Sequence, residues 1–366
     1  MDKKRSGLGG KIFRATLIIL LVLILLIVTV FGTAYLYYRS KIGLLQPDET
    51  RPSEDRNLNA SQEQELNDQS QDLNSAMQNI LAGLDTQDPV LPETKPTDAQ
   101  PTEPEDDHVI NILLIGTDDA GNGFSTNARG DTCMLFSINT AGDHPVISLV
   151  SFERGMGVPI LEGQYEGQWD WLTHSFFYGG ADLMVKEIQY CFNLDVDYYV
   201  RVNFHSFIAG IDAIGGVDVY LDREEASYLI NGAKFDVSVG MNHLTGYQAL
   251  AYARLREIDS DWQRIERQRE VIESALNQLR QLELADADAL INELMGLVRT
   301  NMDEAIITEL LLLLPSLPQS TVQQMTIPQA GTYGGMIGMG GRGLFAADFE
   351  VNTQILHEFL YGTESE

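Results

Sequence analysis

"VINILLIGTDD", residues 109–119, sets the class of the fold. Its apolar run lacks the alternation of a strand with one wet face, so it reads as a strand covered on both faces. It stops at Gly116, and two aspartates stand in the turn beyond. Working outward, "DTCMLFSIN" (131–139) and "PVISLVSF" (145–152) read as two more strands, joined by the turn-like "TAGDH". "DYYVRVN" (197–203), "VDVYL" (217–221) and "VQQMTIP" (322–328) are further strands. Between them lie helical patterns. "YGGADLMVKEIQYCFNL" (178–194) puts Leu183, Ile188 and Phe192 on one side, and "HSFIAGIDAIGG" (205–216) closes on Gly215 and Gly216. "TGYQALAYARL" starts on a Thr N-cap, and "DWQRIERQREVIESALNQLRQL" (261–282) is long. Helices are also expected over 285–300, 303–317 and 346–362. Interleaved strands and helices predict an α/β fold, a layered α–β–α domain with a central mixed sheet over 109–362.

The preceding residues divide into three. Residues 15–38 hold 24 residues without a charge, longer at about 1.5 Å per residue than a hydrocarbon core of roughly 30 Å. Lys3, Lys4, Arg5, Lys11 and Arg14 precede them, so residues 1–14 are expected in the cytoplasm, with one uncleaved transmembrane helix and an extracellular C-terminal domain. Residues 39–108 read as an acidic, Pro-containing linker or stalk. Cys133 and Cys191 sit in apolar contexts and are expected as buried free thiols. A net charge of −29 argues against nucleic acid as a partner and requires any bound anion to be held locally.

That local site has two sets of candidates. "GTDDAGNG" (116–123) and "ARGDT" (128–132) can present Asp118 and Asp131 to one point, either as ligands of a Mg²⁺ that also binds phosphate or as turn residues. "YARLREIDSDWQRIERQRE" (252–270) concentrates five arginines in this acidic chain. Arg264 and Gln268 share a helix face, and guanidinium forks bind phosphate oxygens bidentately. Arg254 and Arg256 flank the same loop, and Arg129 and Arg154 come from strand ends near the aspartates. Arg267 and Arg269 are expected as surface charges paired with Glu266, Glu270 and Glu273. The Gly-rich "GMIGMGGRG" (335–343) lacks P-loop spacing and is expected as a flexible loop.

In order, "NILLIGTDD", "ARGDT", "SFERG", "WLTHSFFYGG", "DYYVRVNFHSF", "IDAIGGVDV", "HLTGYQALAYARLR" and "DWQRIERQREVI" resemble the LytR–CpsA–Psr family of membrane-anchored cell-wall ligases. The resemblance implies a phosphotransferase. It would move a glycopolymer, a teichoic acid or a capsule-like polymer, from a polyprenyl pyrophosphate onto peptidoglycan, with Mg²⁺ as cofactor. Carried over by motif, Asp118 and Asp131 are the metal ligands. Arg129, Arg154, Arg254, Arg256, Arg264 and Gln268 bind the pyrophosphate, and Asp131, Asp261 and Arg154 are catalytic, with Asp131 or Asp261 as the base. The lipid is expected in an apolar groove between sheet and helices. The chain departs from the family pattern at Ala120, Gly155 and Trp171, where an arginine, an aspartate and a lysine are usual, and Asp119 is a candidate stand-in ligand. Two other readings share these residues: a non-catalytic binder of polyprenyl-pyrophosphate-linked glycans, and a membrane-anchored transcriptional attenuator.

Overall fold

The computed structural model describes residues 108–119, 124–125, 127–142, 144–256, 258–280, 297–303, 306–307, 310 and 319–362. Residues 1–107, with the expected membrane helix and nearly all of the acidic linker, lie outside them. No described helix is long and apolar enough to cross a membrane.

The run that opens at Val109 is β1(Val109–Thr117), an inner strand of a six-stranded mixed sheet. It lies between β2(Gly130–Asn139), antiparallel to it, and β6(Tyr198–Val202), parallel to it. Beyond β2 come β3(Val146–Phe152), antiparallel, and β10(Thr321–Ile327), parallel to β3. Beyond β6 lies the short β9(Arg299–Thr300). Side chains of alternate residues leave the sheet on opposite faces. Leu113, Ile115, Leu135 and Val150 join one core with α1(Leu172–Phe192) and α6(Phe349–Tyr361). Met134, Ile147 and Leu149 join another with Ile272 and Leu276 of α5(Asp261–Leu279). Both faces are therefore dry, which accounts for the unbroken apolar run. Each fully buried Leu, Ile or Phe contributes about 1.5–3 kcal/mol.

A satellite core lies beside the sheet. It is built from α2(Phe204–Ala213), β7(Val217–Leu221), α3(Arg223–Asn231), β8(Gly240–Leu244) and α4(Gly246–Ala253). The Thr245 backbone N–H donates to Gln248 Oε1 at 3.0 Å, opening α4 as expected. Gly246 lets α4 approach α2 closely, because a Cβ there would stand 2.1 Å from the Ile208 carbonyl oxygen. Cys133 and Cys191 are buried free thiols.

Three expectations are corrected. Helix α1 is two helical segments meeting at a kink at Gly180, φ 71°, a backbone conformation that glycine adopts without strain: the segment after it is the helix expected from the "YGG" stretch, and an unexpected one from Leu172 precedes it. The helix expected over 285–300 does not reach its end. Arg299 and Thr300 instead pair with β6, where Thr300 Oγ1 also donates to the Tyr199 carbonyl at 2.6 Å. Most of that segment and of 303–317 lies outside the described residues. The Gly-rich stretch is no flexible loop. It belongs to the hairpin of β11(Tyr333–Ile337) and β12(Gly343–Ala347), with Arg342 turned inward to Asp170 at 3.4 Å. A smaller ribbon, β4(Gly157–Pro159) with β5(Trp169–Trp171), packs beside it.

One buried acid gives the fold a pH dependence. Glu187, fully buried on α1 and accepting from Ser175, is pushed by burial from 4.5 up to about 8. Between those values the folded chain keeps a proton that the unfolded chain releases, so stability falls as pH rises. In Glu187→Gln, part of the decline in Tm between pH 5 and 8 should vanish. A slope identical to that of the parent chain in thermal melts would refute this.

Candidate active site

The carboxyl end of β1 and the adjoining start of β2 carry the first residues of the site. Asp118 follows β1 and is clasped by Arg129. The Arg129 backbone N–H donates to Oδ1 at 2.8 Å, and its Nε and Nη2 reach Oδ2 at 2.8 and 2.7 Å. Asp131 lies on β2, where Oδ1 accepts from Arg154 Nη1 at 2.9 Å and from the Thr173 hydroxyl at 3.2 Å. Helix α5 supplies the opposite wall. Its first residue, Asp261, meets Arg264 at 2.9 Å, Arg154 at 3.4 Å and Arg256 at 3.7 Å.

These groups share a buried electrostatic network. Burial opposes the charge on Asp131, but Arg154, Arg264 and Arg129 outweigh it and hold the carboxyl well below the usual range. Asp261 is also lowered, with Arg264, Arg154 and Arg256 prevailing over burial. For Arg154, 2% exposed, burial opposes the charge, yet Asp261 and Asp131 shift it upward. Burial lowers Arg264, and Asp261 offsets this in part. Arg154 Nε and Nη2 and Arg264 Nε are buried without a hydrogen-bond acceptor among the described residues. Buried donors of this kind are costly unless something binds them, and an anion is the strongest acceptor a guanidinium can take.

The network closes one end of a cavity of about 1060 Å³. Asp118, Arg129, Asp131, Arg254, Arg256, Asp261, Arg264 and Gln268 all line it, so the sequence candidates are brought together. Arg154, behind this wall, touches it through Asp131 and Asp261. Arg254 also stacks over the Phe204 ring at 4.2 Å. Much of the rest of the wall is apolar. Leu114 and Val200 come from the sheet, and Phe207, Ile211, Leu250 and Ala275 from the helices. A cavity with one cationic end and one apolar wall suits a phosphorylated lipid.

The donor set also bears on a metal. Asp118 and Asp131 stand at adjoining strand ends, and no group of three or more His, Cys, Asp or Glu capable of holding a metal occurs among the described residues. Asp131 Oδ2 accepts no hydrogen bond there, and its carboxyl stays ionised. Two carboxylates fit a cation that takes its other ligands from phosphate and water, as Mg²⁺ does. Asp119 does not belong to this set. It is 8% exposed, pairs with Arg201 at 3.4 Å and accepts from the Ser125 N–H.

Two arginines are corrected. Arg267 is buried, bonded to Glu225 at 2.7 Å and the Leu255 carbonyl at 2.9 Å, and ion-paired with Asp259. Arg269 donates to the Met325 carbonyl at 2.9 Å and to Thr326. Helix α5 packs between the sheet and the satellite core, so residues that look like i,i+4 surface partners meet other elements instead. Trp171, in the lysine position, is a core residue whose indole N–H donates to the Gly343 carbonyl at 2.7 Å. Sequence reasoning assigns no role to Thr173, Arg201 or Glu153. Glu153 and Arg201 carried a local signal, a charge beside or inside an apolar strand.

The sequence profile of the LytR_cpsA_psr family matches residues 62–352. The chain belongs to this family. Polyisoprenyl-teichoic acid–peptidoglycan teichoic acid transferase TagU of Bacillus mycoides is 33% identical over 169 residues, 46% of this chain and 51% of the relative. The TagU of Oceanobacillus iheyensis is 32% identical over 203 residues, 53% of this chain and 59% of the relative. The chain thus spans about half the length of the curated relatives it matches. Among solved structures, TagT bound to LIIa-WTA superposes with a TM-score of 0.55 at 25% identity, covering 69% of this chain and 90% of that one. Protein gbs0355 of Streptococcus agalactiae shares the fold, with a TM-score of 0.58 at 22% identity over 70% of this chain and 90% of that one.

Within this family member, the arginines of α5 should separate by role. Arg264→Ala should weaken binding of farnesyl pyrophosphate by roughly tenfold or more in calorimetric titration, the loss expected for a charged hydrogen bond. Arg267→Ala should chiefly lower stability, by about 3–5 kcal/mol, as loss of a buried ion-pair partner does. The reverse pattern would refute the division.

Proposed function

We propose that the chain is a phosphotransferase that moves a glycopolymer from a polyprenyl pyrophosphate onto a peptidoglycan hydroxyl. The observation that carries the reading is the cavity itself. The buried Arg264 guanidinium, with an N–H that meets no acceptor among the described residues, lines it together with Arg129, Arg254 and Arg256, and apolar side chains from sheet and helices supply much of the rest. The TagU and TagT relatives support the same donor class. The expected helix over 15–38 would anchor the domain at the outer face of the cell membrane, where such carriers are held.

In the reaction, the acceptor oxygen bonds to the phosphorus bearing the sugar. The bond from that phosphorus to the bridging oxygen breaks, and polyprenyl phosphate leaves. Catalysis of this kind needs positioning and charge neutralisation more than covalent help. Arg264 offers its N–H groups to pyrophosphate oxygens, with Arg129, Arg254, Arg256 and Gln268 around it, while Arg154 behind the wall holds Asp131 and Asp261 in place. The hydrogen bonds to the pyrophosphate strengthen as charge gathers on the leaving phosphate. Asp131, 29% exposed, is open to the acceptor hydroxyl and takes its proton. Asp261, 8% exposed, instead orients the arginines. Asp118 and Asp131 would hold Mg²⁺, which supplies further neutralisation of the pyrophosphate charge.

Asp131→Ala and Arg264→Ala should each cut transfer from a lipid-linked donor by at least about a hundredfold in the presence of Mg²⁺. Chelation should abolish turnover, and added Mg²⁺ should restore it. Full activity in both variants would overturn the site. A wild-type chain that retains polyprenyl phosphate yet turns over no donor would favour the binder instead.

A further inference from the structure

Glu153 is fully buried directly after β3, where its backbone N–H donates to the Ile327 carbonyl at 2.8 Å. Neither of its carboxyl oxygens meets a donor among the described residues, and Asp261 Oδ1 is in the same position. The two carboxyls lie close enough to act on each other's charge. Two buried carboxylates cannot face one another in this way without a proton between them. That proton has one favourable owner. Asp261 already has Arg264 at 2.9 Å, Arg154 at 3.4 Å and Arg256 at 3.7 Å. It also stands in the first turn of α5, where the helix dipole favours a negative charge. Glu153 makes no comparable ion pair among the described residues.

We propose that Glu153 is a positioning residue whose protonated carboxyl donates a hydrogen bond to Asp261 and so keeps Asp261 turned towards Arg154, Arg256 and Arg264. The groups facing it are Asp261 and Arg264 from α5, Arg154 on its own segment and Tyr333 from β11. Burial, with Asp261 beside it, pushes the Glu153 carboxyl from 4.5 up to about 8, against the pull of Arg154 and Arg264. Below that pH the pair carries one negative charge and the arginines keep their surplus for phosphate. Above it a second negative charge enters the cluster, the donated hydrogen bond is lost, and the grip on an anion loosens. The site therefore carries an alkaline limit in donor binding, visible in KM more than in kcat. That kinetic consequence rests on the transferase reading. The proton on Glu153 does not.

The test uses the full chain and farnesyl pyrophosphate as the probe. Affinity should fall above pH 8, approaching roughly tenfold per pH unit. Glu153→Ala should lose about tenfold at pH 7, the cost of a charged hydrogen bond. Glu153→Gln keeps an N–H donor for Asp261, so it should recover most of that loss and show no alkaline fall. The infrared difference between the parent chain and Glu153→Gln should contain a protonated-carboxyl stretch at pH 7 that is gone at pH 9, with Glu187 cancelling in the difference. Absence of that band at pH 7, or a Gln variant as impaired as the Ala variant, would overturn the proposal. If the band and the affinity limb are found but no chain transfers glycan, Glu153 keeps this role and the transferase reading fails.

Discussion

A guanidinium out of contact with water survives only where anions surround it, and the rest of the site depends on how that condition is met at Arg154. Asp131 meets it from β2 and Asp261 from the start of α5. The antiparallel register of β2 and β3, which sets Cys133 opposite Phe152, brings Asp131 and Arg154 to the same end of the sheet. Helix α5 can offer Asp261 there only because Ile272 and Leu276 hold it against the sheet. The packed layers thus fix the ion network, and the network fixes the direction of the free N–H groups.

Much of this was legible in the sequence because it is periodic. Strand β1, with both faces covered, leaves an unbroken apolar run. Helix α5 leaves a repeating stripe that puts Arg264 and Gln268 on one face. The aspartates and arginines of the site could be collected from strand ends and helix starts. What could not be read was long-range pairing. Glu225 lies far from Arg267 in sequence, so its claim on that arginine was hidden behind nearer glutamates. The pairing of Arg299–Thr300 with β6 likewise depends on an open sheet edge and not on any local preference. Glu153 illustrates a third case, since its meaning comes from a carboxyl that only the folded chain sets beside it.

The departures from the family pattern now have physical content. The lysine position holds Trp171, which spends its one donor on a β12 carbonyl and its ring on the core. Gly155, in the aspartate position, offers its carbonyl to Phe345 at 3.0 Å. The Trp171 indole and the backbone at Gly155 tie the β11–β12 hairpin to the site-bearing layer, and β11 brings Tyr333 against Trp262, the neighbour of Asp261. Positions usually given to charge here serve packing, so the remaining arginines carry the electrostatics of the cavity.

Strand β10 lies beside β3, though most of the domain separates them along the chain. Its last residue, Ile327, supplies the acceptor for the Glu153 N–H, and the residues before it supply acceptors for Arg269. Every arginine and aspartate of the cavity is thus synthesised before the strand that braces them exists. A nascent chain halted before Thr321 would carry a complete list of site residues and still lack the brace that fixes two of its elements. The sheet edge completes the site: its final geometry is reached only once β10 has paired with β3.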